Sequence, residues 1–337
     1  MSEYESNTTI PQMAARMLAG RRILITTHAK PDGDAIGSAL ALTRALLAKK
    51  KVADLFLMGP IESNLLTLAA PTPFRQVERD PPKNDYDLAI VTDTGAWSQV
   101  EPLGPWLKQH HDQVLGIDHH TRGDDIASMR LVDPQAVSTT AMLVPLLKHM
   151  QCDLTGGVGG VAEALFVGLA TDSGWFRYGN AGVQAFELAA QLLERGVDKS
   201  RLYQILEETY GPQRLALEAK ALASLEYVCD GSVAIQSLRA QDFASAGASM
   251  EDLTGLVNTP MTVGKVRVSI LLAQTTPQLT KISFRSKPAA PGAESGDFVD
   301  VNELAAKFGG GGHVHAAGAR IKADIDQART MVLAALA

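Results

Sequence analysis

From about residue 20 to 175, short runs of Val, Ile and Leu alternate with longer stretches whose apolar residues recur at helical spacing. Arg22–Thr27, Val52–Met58, Asp87–Thr92 and Gln113–Ile117 read as strands, and Ala35–Lys49 and Val161–Ala170 as helices. The strands are apolar along their whole length rather than at every second residue. That pattern predicts a mainly parallel sheet buried on both faces beneath helices. Such a sheet binds ligands beyond the carboxyl ends of its strands. Residues 181–228 read as helical: Ala181–Arg195 closed by Gly196, Lys199–Glu208, and Pro212–Val228 with its proline near the start. After Gly231 come β runs at Ser232–Leu238, Lys265–Ala273 and Leu279–Lys287, mixed with helices near Ser249–Asn258, Val301–Phe308 and Asp324–Leu336. Pro288–Gly296, with two prolines and two glycines, reads as a loop. The expected fold is α/β: a mainly parallel sheet with helices on both faces over 1–195, a helical connection over 196–228, and a smaller α+β domain over 229–337.

Composition narrows the class. A chain of 337 residues that is 46% hydrophobic can bury one sizeable core in each of two domains. A formal charge of -6 argues against coating long nucleic acid, so any nucleic-acid substrate should be short and gripped locally. Cys152 and Cys229 lie far apart and form no metal-spaced pair, which fits a reducing compartment without a disulfide framework. The opening residues MSEYESNTTIPQ are polar and acidic, unlike a signal peptide, and apolar runs such as Ala39–Leu47 are broken by Arg44. The expectation is a cytoplasmic protein with no membrane contact.

Four acidic clusters then change the picture. His28-Ala-Lys-Pro-Asp32-Gly-Asp34, Thr-Asp93-Thr-Gly and Asp118-His119-His120 each follow a predicted strand, and Thr-Asp172-Ser-Gly follows an apolar helix. Alone, each also fits a helix cap or a solvated loop. Together they would bring Asp32, Asp34, Asp93, Asp118 and Asp172 to one sheet edge, where each close pair of like charges costs roughly 4 kcal/mol even at an effective dielectric near 20. Protons or cations must neutralise such a site. Imidazoles among carboxylates suit Mn²⁺ better than Ca²⁺, and four ligand carboxylates balance two divalent ions, as in phosphoryl hydrolysis. Pro31 keeps Lys30 extended and Gly33 lets the chain turn, so that His28, Asp32 and Asp34 can converge at a helix N-terminus.

The segments THAKPDGDAIGS, VTDTG, GIDHH and ATDSGWFR, with FGGGGHVHAAGA near the end, occur in the order found in the DHH phosphoesterases that carry a DHH-associated C-terminal domain. The chain resembles that family from Ile23 to Ala319, and within it the oligoribonuclease/pAp phosphatase type. The resemblance implies one metal held by His28, Asp32 and Asp93 and a second by Asp34, Asp93, His119 and Asp172. Mn²⁺ is the expected ion, with Mg²⁺ as the alternative. It further implies attack on phosphorus by a hydroxide between the ions, His120 facing the leaving oxygen, and Asp118 orienting a histidine.

Two features of the last domain bear on substrate. Strict alternation in Lys281–Lys287 puts Lys281, Ser283, Arg285 and Lys287 on one face and Ile282 and Phe284 on the other. A solvated strand face would look the same, but the resemblance implies a substrate-binding strand with contacts from Ser283, Arg285 and Ser286, Arg285 suiting a bidentate phosphate contact. Gly309-Gly310-Gly311-Gly312-His313 reads as a flexible linker or as backbone offering N–H groups to phosphate. The resemblance decides for substrate binding by Gly310, Gly311, Gly312 and His313. His315 has no matching role. Gly156–Gly160 follows no strand and reads as a loop opening a helix.

The expected function is hydrolysis of short oligonucleotides to 5′-mononucleotides, together with removal of the 3′-phosphate of adenosine 3′,5′-bisphosphate. Two domains across a cleft would favour substrates a few residues long. The alternatives are a phosphodiesterase for cyclic dinucleotides or their linear products, and a catalytically silent nucleotide-binding regulator. The second would be expected to lose metal ligands, and none of the six is missing. A homodimer is an assembly open to the chain.

Overall fold

The computed structural model describes residues 4–289 and 298–336, and of His313 only the backbone. The loop expected over Pro288–Gly296 lies mostly outside the described residues. The chain divides between Thr209 and Tyr210 into two compact units.

The first unit is built on six parallel strands: β1 (Arg22–Thr27), β2 (Val52–Leu57), β3 (Phe74–Gln76), β4 (Leu88–Thr92), β5 (Val114–Asp118) and β6 (Met129–Val132). Their order is β3-β2-β1-β4-β5-β6, so the order reverses between β1 and β4. A crevice at the carboxyl ends opens where strand order reverses in a sheet of this kind. The continuous apolar strands are explained by what covers them. Ile23 and Ile25 enter the larger core, beneath helices, whereas Leu24 between them packs on the opposite face with Phe56, Val91 and Trp106.

The helices of this unit are α1 (Ile10–Ala19), α2 (Gly33–Ala48), α3 (Ser63–Ala69), α4 (Gly104–Gln109), α5 (Thr139–His149), α6 (Val161–Asp172), α7 (Val183–Glu194) and α8 (Lys199–Glu207). The helix α2 is buried over almost its whole length, so its two ends are fixed by packing rather than by propensity. It crosses α6 at glycine. A Cβ on Gly37 would stand 2.5 Å from the Ala164 carbonyl oxygen. That crossing holds the N-terminus of α2 beside the C-terminus of α6, and both ends carry acidic residues of interest.

The second unit holds a mixed sheet, β11-β12-β10-β9-β8-β7, made of β7 (Glu226–Val228), β8 (Val233–Leu238), β9 (Val268–Thr276), β10 (Leu279–Ser286), β11 (Gly311–His313) and β12 (Ala316–Ile321). Its helices are α9 (Pro212–Ala223), α10 (Ala240–Ala246), α11 (Val301–Ala306) and α12 (Ile325–Leu336). One sheet face packs Ile235, Ile270 and Phe284 in a core with residues of α11 and α12, and the other packs Leu271 and Ala273 with residues of α9 and α10.

Several boundaries differ from those read in the sequence. The helix expected over Pro212–Val228 ends at Ala223, and Glu226–Val228 turns back as β7 against β8. The stretch 196–228 is therefore shared between the units rather than standing apart. The helix expected near Ser249–Asn258 is two 3₁₀ turns, Met250–Leu253 and Leu256–Thr262, broken at Gly255, whose φ of 82° is left-handed. Among the described residues no helix is long and apolar enough to cross a membrane.

Candidate metal centre

Three strand ends and two helix ends build the site. His28 follows β1, Asp93 follows β4, and Asp118 closes β5 with His119 and His120 behind it. Asp32 caps α2, accepting from the N–H groups of Asp34 and Ala35 at 3.1 and 3.0 Å. Asp172 is the last residue of α6. Asp93 takes a left-handed φ of 62°, a conformation that carboxylate side chains tolerate better than most and that often marks a site under functional constraint.

The six residues expected as ligands converge. One ligand atom from each of His28, Asp32 and Asp93 lies within 4.8 Å of the others, and the same holds for Asp34, His119 and Asp172. His28 Nε2 is 3.9 Å from Asp32 Oδ1 and 3.7 Å from Asp93 Oδ2. His119 Nε2 is 4.0 Å from Asp34 Oδ2, 3.7 Å from Asp93 Oδ1 and 3.6 Å from Asp172 Oδ2. Asp93 thus faces both histidines with different oxygens. His119 Nδ1 is 3.2 Å from the Ala136 carbonyl, which accepts a proton on Nδ1 and leaves Nε2 with its lone pair toward the carboxylates. Asp93, His119 and His120 form a third such group, so His120 also lies within ligand reach.

Electrostatics fit cations here. Asp34 and Asp93 are each 2% exposed. Burial, and then the charge of Asp34 among neighbouring carboxylates, holds Asp93 well above the usual carboxyl range. Burial raises Asp34 likewise, partly offset by His119. Asp172 is pushed up to about 8 by burial and by Asp34 and Asp32. Each of these carboxyls is pushed toward its protonated form, and a cation can take the place of the proton, so the donor set suits divalent ions. Asp34 is also served by α5, whose first turn donates from Thr139 N and Thr140 N at 2.6 and 3.0 Å. Thr139 Oγ1 donates to Asp93 Oδ1 at 2.9 Å. Sequence reading passed over α5, although Ser138-Thr139-Thr140 carried the signature of a cap.

Asp118 stands apart from the ligand groups. It is fully buried and accepts from the His120 N–H and from His120 Nδ1 at 2.6 Å. Burial would raise its carboxyl, but the hydrogen bond and charge of His120 prevail and hold it low. Burial likewise opposes the charge on His120, and its bond to Asp118 prevails and raises it. A third partner was missed in the sequence. Tyr4 Oη donates to Asp118 Oδ2 at 2.7 Å. Burial, followed by the Asp118 charge, raises the phenol and keeps it a donor.

The residues expected to bind substrate belong to the second unit. Ser283 and Arg285 lie on one face of β10, paired with Leu271 and Ser269 of β9. Ser286 points the other way. It is buried, with its hydroxyl bonded to His315 Nδ1 at 2.9 Å. Strict alternation separates it from Ser283 and Arg285, and the substrate role expected for it conflicts with that facing. The glycines also have a structural cause. A Cβ on Gly310 would lie 2.1 Å from the Gly318 carbonyl oxygen, and one on Gly312 would lie 2.4 Å from that of Ala316, so close pairing with β12 demands glycine at both. The N–H groups of Gly310 and Gly312 are already given to the Ala305 carbonyl and to Asn302 Oδ1. Gly311 is exposed. The side chain of His313 lies outside the described residues.

A sheet whose order reverses above paired carboxylate–imidazole clusters defines the class. The DHH family, N-terminal domain, matches residues 22–169 and the DHHA1 domain matches residues 230–337. The chain belongs to this family of phosphoesterases. It is 31% identical over 315 residues to the bifunctional oligoribonuclease and PAP phosphatase NrnA of Thermus thermophilus, covering 93% of this chain and 89% of that protein. The Bacillus subtilis protein of the same name is 25% identical, covering 89% of each chain. A solved structure of an exopolyphosphatase-related protein from Bacteroides fragilis shares the fold, with a TM-score of 0.87 at 24% identity over 97% of this chain and 95% of that one.

Proposed function

We propose that this chain is a two-metal, Mn²⁺-type phosphodiesterase and 3′-phosphatase that cleaves short oligonucleotides to 5′-mononucleotides and dephosphorylates adenosine 3′,5′-bisphosphate. The observation that carries this reading is the pair of ligand groups, His28–Asp32–Asp93 and Asp34–His119–Asp172, with Asp93 between the two histidines. The similarity to relatives named for those two activities supports the substrate class.

Two bound divalent ions would neutralise the carboxylates, activate water and offset charge on the phosphoryl oxygens. The chain's own residues do the rest. Asp93 and Asp34 are fixed by Thr139 and Thr140, so the ligand set is preorganised. Asp118 fixes the His120 ring, and we assign His120 to the leaving oxygen, to which its raised proton affinity suits it as a donor. Arg285 and Ser283 are assigned to substrate phosphate, along with Gly311 and His313. Gly310 and Gly312 belong to the same assignment, with their N–H groups already given to the Ala305 carbonyl and to Asn302 Oδ1. Action in the cytoplasm, as a homodimer, belongs to this reading.

One assay tests it. With Mn²⁺, a linear dinucleotide and adenosine 3′,5′-bisphosphate should be hydrolysed faster than a cyclic dinucleotide or a long single strand. Preference for the long strand, or turnover of none of the four, overturns the proposal.

A further inference from the structure

The N-terminal segment lies along the outer edge of the parallel sheet, beside β6. Asn7 N donates to the Arg130 carbonyl at 3.1 Å and Asn7 Oδ1 accepts from Arg130 N at 2.7 Å. Ser6 Oγ donates to the Val132 carbonyl and accepts from Val132 N, at 2.9 and 2.7 Å. Arg130 Nε reaches back to the Glu5 carbonyl at 3.2 Å. These bonds anchor Glu5 to Asn7 and deliver the next residue, Tyr4, to the carboxyl end of β5.

There the tyrosine is wedged between two loops. A Cβ on Gly95 would come within 2.1 Å of Tyr4 Oη, and one on Gly123 within 2.4 Å of its ring. Gly95 follows Asp93 and Gly123 follows His120, and Asp124 N donates to the Gly95 carbonyl at 2.7 Å, tying the loops together. Both glycines leave the space that an aromatic ring fills. Among the described residues Tyr4 is the one side chain that donates to Asp118 Oδ2, while Oδ1 is taken by His120. A buried carboxylate with one oxygen unpartnered is free to swivel and drag its other partner with it.

We propose that Tyr4 is a positioning residue of the phosphoesterase site: by pinning Asp118 Oδ2 it fixes the carboxylate that aims His120. This rests on the assignment of His120 to the leaving oxygen. Tyr4→Phe removes the hydroxyl and keeps the ring between the glycines. With Mn²⁺ and a linear dinucleotide it should lower kcat about tenfold while leaving KM and the apparent Mn²⁺ affinity unchanged. In an Asp118→Ala background, which removes both acceptor oxygens, the same substitution should have no further effect, as expected of two residues acting through one contact. In the metal-free protein, the His120 Nδ1 resonance of ¹⁵N-histidine-labelled chain should shift on Tyr4→Phe. An unchanged kcat, an undiminished loss in the Asp118→Ala background, or a His120 resonance that does not move would each overturn the proposal. If the wild-type chain hydrolyses no phosphoester, the function reading fails, and the resonance alone decides the role of Tyr4.

Discussion

Gly168 of α6 stands against Asp34 of α2 with no room for a side chain: a Cβ there would lie 2.3 Å from Asp34 Oδ1 and 2.4 Å from Thr140 Cγ2. Gly168→Ala should therefore displace Asp34, the proposed metal ligand, and weaken Mn²⁺ binding at least about tenfold. Gly37→Ala overpacks the same helix crossing against the backbone of Ala164, at a cost of about 1–3 kcal/mol. It should lower Tm with a smaller effect on metal affinity. Calorimetric Mn²⁺ titrations and thermal melts of both variants check this, and equal metal affinities would contradict it.

Asp93→Asn should abolish Mn²⁺-dependent hydrolysis, by about a thousandfold or more, because the residue faces both His28 and His119. The metal-free variant should melt higher than the metal-free parent near neutrality, since folding no longer has to protonate a carboxyl that is ionised in the unfolded chain or hold it charged among like charges. The amide can still accept from Thr139 Oγ1. Near-normal turnover would sink the two-metal assignment.

Stability of the metal-free chain should fall as pH rises. Asp34, Asp93 and Asp172 bind protons more tightly folded than unfolded, Asp172 up to about 8. Unfolded carboxyls release theirs near pH 4, so between about pH 4 and 8 the folded chain holds more protons and loses stability with each step upward. His120, also raised, acts in the same direction. Metal-free Tm should drop from about pH 6 to about pH 9, saturating Mn²⁺ should remove most of the slope, and Asp172→Asn should flatten it. A metal-free Tm that rises over this range would refute the account.

Two neighbours on β10 should separate cleanly. Arg285→Ala should raise KM for adenosine 3′,5′-bisphosphate by about 10- to 100-fold, the range expected for a lost charge-assisted bond, with Mn²⁺ affinity unchanged. Ser286→Ala, which breaks the buried bond to His315, should cost about 1 kcal/mol of stability and leave KM alone. Steady-state kinetics and melts on the pair decide it.

The strands that carry the site were legible because β1, β4 and β5 are central, and burial on both faces writes itself as unbroken apolar sequence. The short strands β3 and β6 at the two sheet edges are only partly buried, and their sequences Phe-Arg-Gln and Met-Arg-Leu-Val carry no such signal. Pro145 hid α5, since a proline inside a helix reads as an interruption. The six ligand candidates were legible as motifs. What surrounds them was not, because Tyr4 reaches Asp118 across 114 positions and no local spacing records that contact. For Ser286 two signals diverge: the alternation that sorted Lys281 to Lys287 points to the inner face, beside Ile282 and Phe284, whereas the family resemblance points to substrate.

The α5 N-terminus meets Asp34 with main-chain groups alone, Thr139 N and Thr140 N. No amino-acid exchange short of proline deletes a peptide N–H. One oxygen partner set in this centre is therefore written into the path of the chain instead of into side-chain identity, and it should persist in homologues whose residues at 139 and 140 have drifted.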